Sequence, residues 1–165
     1  MAISKDKKRE ILAKLSAAFK EASSIVFVGF TKLTVLDASR MRKELSHMDV
    51  RYFVAKKTLI RKALTEQGYT GDIPELPGEV AVAWTSGEEI TAPARGVYTY
   101  GKKLKNVLTL LGGVFDGAFA DVQKVAAIAT VPPLPVLHGM FVNVINSPIQ
   151  GFVVALDKIR AQKEA

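Results

Sequence analysis

The side chains best placed for chemistry are the cations of residues 56 to 62. Lys56, Lys57, Arg61 and Lys62 surround Thr58 where the alternating run Val50 to Ala55 gives way to a helical period in Leu59, Ile60, Ala63 and Leu64. A strand that hands over to a helix presents free backbone N–H groups and the positive end of the helix dipole at the junction. Cations and a hydroxyl at such a place suit the holding of phosphate rather than bond-making. The reactive residue types are sparse. There is no cysteine, which excludes disulfides, thiolate zinc sites and a cysteine nucleophile. The two histidines, His47 and His138, fall in different modules, and His47 suits the surface or the C-terminal cap of a helix. No Ser/His/Asp set, paired-carboxylate motif or metal-ligand spacing occurs. Gly112-Gly113-x-x-x-Gly117 lacks the Lys-Ser/Thr end and the following helix of a phosphate loop. The expectation is a protein that is not an enzyme, with no catalytic residue, metal or cofactor.

Charge sharpens this. The 165 residues carry a net +7, but residues 1–70 hold 15 Lys/Arg against 7 Asp/Glu, while residues 71–130 hold 5 against 7. A basic half on an otherwise neutral chain points to a polyanion, with nucleic acid the usual one. The N-terminal ten residues have charges but no apolar run behind them, so no secretory signal is expected.

The elements that must position these cations follow in order. Ser4 is suited to cap a first helix, with Asp6 in its first turn, Ile11, Leu12, Leu15 and Phe19 on its apolar stripe, and Lys7 and Lys8 away from it. Ile25 to Phe30 is a short apolar run that predicts a central strand buried on both faces. Thr34 and Asp37 form a cap pair for a helix that would bury Ala38, Met41, Leu45 and Met48 and show Arg40, Arg42 and Lys43. The helix from Lys57 ends near Gly68, and Glu79 to Trp84 predicts a third strand. Thr91, with Pro93 in the first turn, starts a helix to about Lys103. Val107 to Phe115 is a fourth strand, Asp116-Gly117 a tight turn to Ala118–Ala120, and Asp121 caps a short helix through Ala129. The fold expected is α/β of the α+β type: a small mixed sheet of four to five strands packed with helices, followed by a long C-terminal helix.

Pro132-Pro133-Leu134-Pro135 breaks the chain, so residues 1–131 read as a basic α/β domain and 132–165 as a hinge plus helix. Residues 125–156 have no formal charge, which raises a membrane span. Against it, Asn143, Asn146, Ser147 and Gln150 recur at i, i+3, i+4 and i+7 as a polar stripe. Leu137, Phe141, Val144, Pro148, Phe152, Leu156 and Ile159 run opposite, with Ile145 beside them. Such a helix would be about 45 Å long, kinked or split by Pro148. It could pack on its own domain or seat a partner in each half, 136–147 and 149–161.

Phe30-Thr31-Lys32-Leu33-Thr34, Arg40-Met41-Arg42-Lys43-Glu44-Leu45, Val54 through Leu64 and Gly112-Gly113-Val114-Phe115-Asp116-Gly117, ahead of a C-terminal helix, together resemble the bacterial family of large-subunit ribosomal protein ten. This family forms the base of the lateral stalk. The resemblance covers nearly the whole chain and implies a cytoplasmic protein of the large ribosomal subunit. It implies a domain that binds large-subunit ribosomal RNA in the factor-binding region, beside the eleventh large-subunit protein. It further implies a terminal helix that carries dimers of an acidic stalk protein, which recruit translation factors with GTPase activity. Members often also repress their own operon by binding its messenger RNA. The tail is short, which favours two dimers. Where the family usually has Arg-Gly-Leu-Thr this chain has Thr31-Lys32-Leu33-Thr34, and where it has Lys-Asn-Thr-Leu this chain has Lys56-Lys57-Thr58-Leu59.

The RNA contacts expected are therefore Lys7, Lys8, Lys32, Thr34, Arg40, Lys43, Lys56, Lys57, Thr58, Arg61 and Lys62. The partner contacts expected are Leu137, Phe141, Val144, Ile145, Phe152, Leu156 and Ile159. Rival readings are a basic adaptor for RNA or DNA with a self-packed terminal helix, and a membrane-associated adaptor. A helix-turn-helix is disfavoured because a strand separates the helices of residues 34–64.

Overall fold

The computed structural model describes residues 5–71, 74–87, 89–104 and 107–164. It divides into two compact units, Met1–Val131 and Pro132–Ala165. The first contains α1 (Lys5–Glu21), β1 (Ser24–Phe30), α2 (Val35–Ser46), β2 (Val50–Val54), α3 (Lys57–Gln67), β3 (Val80–Thr85), α4 (Ala92–Lys103), β4 (Leu108–Phe115), β5 (Ala118–Ala120) and α5 (Val122–Thr130). The second is α6 (Leu134–Glu164). The expected cap by Ser4 lies outside the described residues.

The five strands form one sheet in the order β2-β3-β1-β4-β5. The α+β class and strand number are as expected, but the sheet is not mixed: all four ladders are antiparallel. The reason is topological. β1, α2 and β2 form a crossover that would set β1 and β2 side by side in parallel, but β3 inserts between them, so the two like-directed strands never share hydrogen bonds. One isolated parallel bridge, Thr70 to Ala118, lies outside the strands.

Period-two alternation sorts side chains to two cores. Ile25 and Phe27 of β1 and Val80 and Val82 of β3 face α1 and α3, meeting Leu15, Phe19, Ile60, Ala63 and Leu64. Val26 and Val28, with Ala81 and Ala83, face α2, α4 and α5 and meet Met41, Leu45, Val97, Val125 and Ala129. β1 is thus covered on both sides. Met48, expected inside, is 43% exposed, because α2 stops at Ser46 with His47 as its C-cap and Met48 lies past the helical face.

The helix starts are set by local chemistry. The Asp37 N–H donates to Thr34 Oγ1 at 3.2 Å, and the Thr34 hydroxyl donates to Asp37 Oδ2 at 2.6 Å. Val122 N–H donates to Asp121 Oδ1 at 2.7 Å. Thr91 is the N-cap of α4 by position but makes no side-chain cap bond. Asp116 (φ 51°) and Gly117 (φ 76°) make the expected tight turn of the β4–β5 hairpin. Pro148 sits inside α6 without dividing it: the helix runs unbroken for 31 residues, although the ring removes one backbone donor.

The Gly112-Gly113 pair is explained by a bulge in the β1–β4 ladder. Phe27 pairs with Gly112 and Val28 with Leu110, which leaves Leu111 as the extra residue. Gly112 takes φ 137°, and a Cβ on Gly113 would stand 2.6 Å from the Ile25 carbonyl oxygen. We therefore expect Gly113→Ala to destabilise the domain by about 1–3 kcal/mol through overpacking against backbone. Urea denaturation should show a lowered midpoint at unchanged slope; an unshifted midpoint would refute this account of the pair.

Candidate nucleic-acid interface

The register determines which ends of the strands lie together. Gly29 pairs with Val80, Phe30 with Leu108 and Val54 with Ala81, so β1 and β2 finish at the same edge of the sheet where β3 and β4 begin. α2 and α3 follow the ends of β1 and β2, so their N-termini project at that edge. α1 joins them from the other direction. It runs parallel to α3: near their C-terminal ends Ser16 Oγ donates to Glu66 Oε2 at 2.9 Å, and Tyr69 OH donates to the Phe19 carbonyl at 2.9 Å. At their N-terminal ends Ile11 shares a cleft with Lys57, Thr58 and Leu59. Three helix N-termini therefore meet at one edge of the first unit.

Most of the candidate cations follow that geometry. Lys7 and Lys8 stand one turn before Ile11 on α1. Lys32 lies in the turn after β1, and Lys56, Lys57 and Thr58 form the first turn of α3; the side chains of all six are exposed. Lys56 is the N-cap of α3 and provides no side-chain acceptor, so no side chain caps the N–H groups at the helix start, while the Leu59 N–H donates to the Lys56 carbonyl at 2.8 Å. Among the described residues, no carboxylate lies within ion-pair distance of Lys32, Lys56, Lys57, Arg61 or Lys62. Arg61 and Lys62 continue down the exposed side of α3. Arg40 and Lys43 are exposed on α2, which packs on the opposite face of the sheet, so they are not part of the same cluster. Thr34 has its hydroxyl committed to the α2 cap.

Lys32 has a φ of 55°, a left-handed backbone conformation that favours glycine. A non-glycine residue pays about 1–2 kcal/mol for that conformation. A cation is held at the edge in spite of the strain.

Two lysines at this edge are not among the expected RNA contacts. Lys102 and Lys103 close α4, which ends where β4 begins and so reaches the same edge. Lys102 lies 4.5 Å from the centre of the Tyr98 ring, and Lys103 lies 5.1 Å from that of Tyr100 and 3.6 Å from Glu44. Their adjacency in a last helical turn resembles ordinary dipole compensation, which hid them. Arg42 instead has a packing role. Its guanidinium stands 5.7 Å from the Tyr52 ring centre, and burial pushes the Tyr52 phenol up to about 12 against the pull of that cation.

The second unit is a separate candidate surface. Phe141, Val144, Ile145, Phe152, Leu156 and Ile159 are all exposed on α6, Val144 at 70% and Phe141 at 68%, while Leu137 is half-buried. Val142, Val153 and Val154 are exposed as well, so the apolar surface extends beyond the expected stripe. By length and composition the helix could cross a membrane. The stripe of Asn143, Asn146, Ser147 and Gln150 would then present three amides and a hydroxyl to hydrocarbon, each at a cost of several kcal/mol. Among the described residues, no group of His, Asp or Glu side chains could hold a metal ion.

The sequence profile of the family described as ribosomal protein L10 matches residues 3–102. The chain is 31% identical to the large ribosomal subunit protein uL10 of Shouchella clausii (strain KSM-K16) over 159 residues, which cover 96% of this chain and 95% of that one. It is 30% identical to uL10 of Staphylococcus carnosus (strain TM300) over 95% of this chain and 93% of that one. It is also 30% identical to uL10 of Lactobacillus johnsonii, over 96% and 95%. A basic edge built from three helix starts, an exposed apolar helix and likeness over almost the full length of these relatives lead to one statement: the chain belongs to the ribosomal protein L10 family.

Proposed function

We propose that this chain, as a structural protein of the large subunit in the cytoplasmic ribosome, grips large-subunit ribosomal RNA through the basic edge of its α/β unit and carries acidic stalk protein dimers on α6. The observation that carries the first half is the convergence of the α1, α2 and α3 N-termini with Lys7, Lys8, Lys32, Lys56 and Lys57 at one edge. Helix N-termini and unpaired cations bind phosphate without reading sequence, so this edge positions the protein on RNA of a given shape. Arg61 and Lys62 extend the track along α3, and Arg40 and Lys43 serve RNA that wraps past the other face. The second half rests on the exposed apolar surface of α6, which suits helix-in-groove binding. Its two halves each seat one dimer, and the dimers recruit translation GTPases. The eleventh large-subunit protein is the neighbour on the RNA, and the operon messenger RNA is a second ligand for the same edge.

If about five of these cations touch phosphate, log affinity for a large-subunit RNA fragment should fall by about 0.7–0.9 per contact for each decade of salt. Binding that ignores salt would sink the assignment. Lys32→Gly separates contact from fold. It relieves the left-handed strain, so thermal stability should stay within about 1 kcal/mol of wild type, while the salt slope should fall by about one unit. A slope equal to wild type would remove Lys32 from the interface.

For α6, native mass spectrometry of the complex drawn from cells by tagged full-length protein should show two pairs of a small acidic protein, and none on a chain ending at Val131. Phe152→Asp should lose one pair and keep the other. Loss of both pairs would mean the halves of the helix do not act separately, and a bare full-length chain would refute the platform.

A further inference from the structure

The first turn of α3 is also the rim of a cleft of about 590 Å³, a size usual for small-molecule sites. Apolar side chains line it: Ile11 of α1, Phe30 at the end of β1, Val54 at the end of β2 and Leu59 of α3. Lys56, Lys57 and Thr58 line it as well, and all three are exposed. Lysines and a helix start beside a largely apolar, partly aromatic cleft are more than a backbone grip needs. Phosphates bind at the rim alone, and nothing in that task calls for an apolar interior beside it.

The geometry points to an extruded nucleobase as the occupant: an unpaired nucleotide of the bound RNA, its base in the cleft against Phe30, Val54 and Leu59 and its phosphate on the α3 N-terminus. The charge pattern selects this occupant over an apolar protein side chain, since the lysines and free N–H groups stand where a 5′-phosphate leaves the base. This inference rests on the RNA-binding reading above and adds to it one position at which the base itself is held.

The test uses full-length protein and synthetic large-subunit RNA of the factor-binding region, with each unpaired nucleotide made abasic in turn. One abasic position should weaken binding at least tenfold at unchanged salt slope. Val54→Trp, at a residue 42% exposed at the strand end, should fill the cleft and cause a like loss while thermal unfolding stays near wild type. Variant and abasic RNA together should be no worse than either alone, the non-additivity of two changes to one contact. Lys57→Ala should instead lower the salt slope and leave the abasic discrimination in place. If wild type binds the RNA with the expected salt slope but no abasic position matters, the cleft holds no base, and this proposal falls while the RNA reading stands. If wild type shows no salt-dependent binding, both fall together.

Discussion

The structure depends on one strand having no free surface. Ile25, Val26, Phe27 and Val28 are within 1% of complete burial, and each such side chain is worth roughly 1.5–3 kcal/mol against exposure. β1 forms a ladder on either edge and has helices on both faces. The other elements are placed by reference to it. β3 must pair on one side and β4 on the other; α1 and α3 must close one face, and α2, α4 and α5 the other. A polar residue in its middle would be wrong for two cores at once, so the run of apolar residues there is a requirement of the architecture.

From that constraint the electrostatics follow. A central strand with antiparallel neighbours forces β1 and β2 to end at the same edge, and the short links after them, Thr31–Thr34 and Ala55–Lys56, leave two helices little choice but to start there. α1 arrives from the N-terminus and must finish at the opposite edge to feed β1, so it too starts on the basic side. Each helix start contributes a partial positive charge. The lysines then reinforce a field that the topology has already oriented, which is why Lys7, Lys8, Lys32, Lys56 and Lys57 gather from three separate stretches of the chain.

Local features were legible in the sequence: the double burial of β1 from its unbroken apolar run, the Thr34–Asp37 and Asp121 caps, the Asp116-Gly117 turn, and the exposed cations at the strand-to-helix junction of residues 56–62. What was not legible is non-local. The insertion of β3 between β1 and β2 depends on pairing across about 50 residues of chain, and no period within β3 announces it; hence the expectation of a mixed sheet. The union of Lys7 and Lys8 with Lys56 and Lys57 depends on the parallel packing of α1 on α3, and the separation of Arg40 and Lys43 from them on the two-faced sheet. The bulge hid for a related reason: Gly112-Gly113 resembles a loop until the register shows Leu111 as an extra residue within a ladder. Of the two effects expected of Pro148, a kink or a split, the split does not occur, because a helix this long can lose one bond and continue.

The exposed apolar surface of α6 has a consequence for the economy of the cell. Contiguous apolar surface of this kind is tolerated only when covered. If α6 is the platform proposed above, a copy made in excess of its partner displays Phe141, Val144, Phe152 and their neighbours to chaperones and proteases, and the supply of partner sets how many chains stay hidden from quality control.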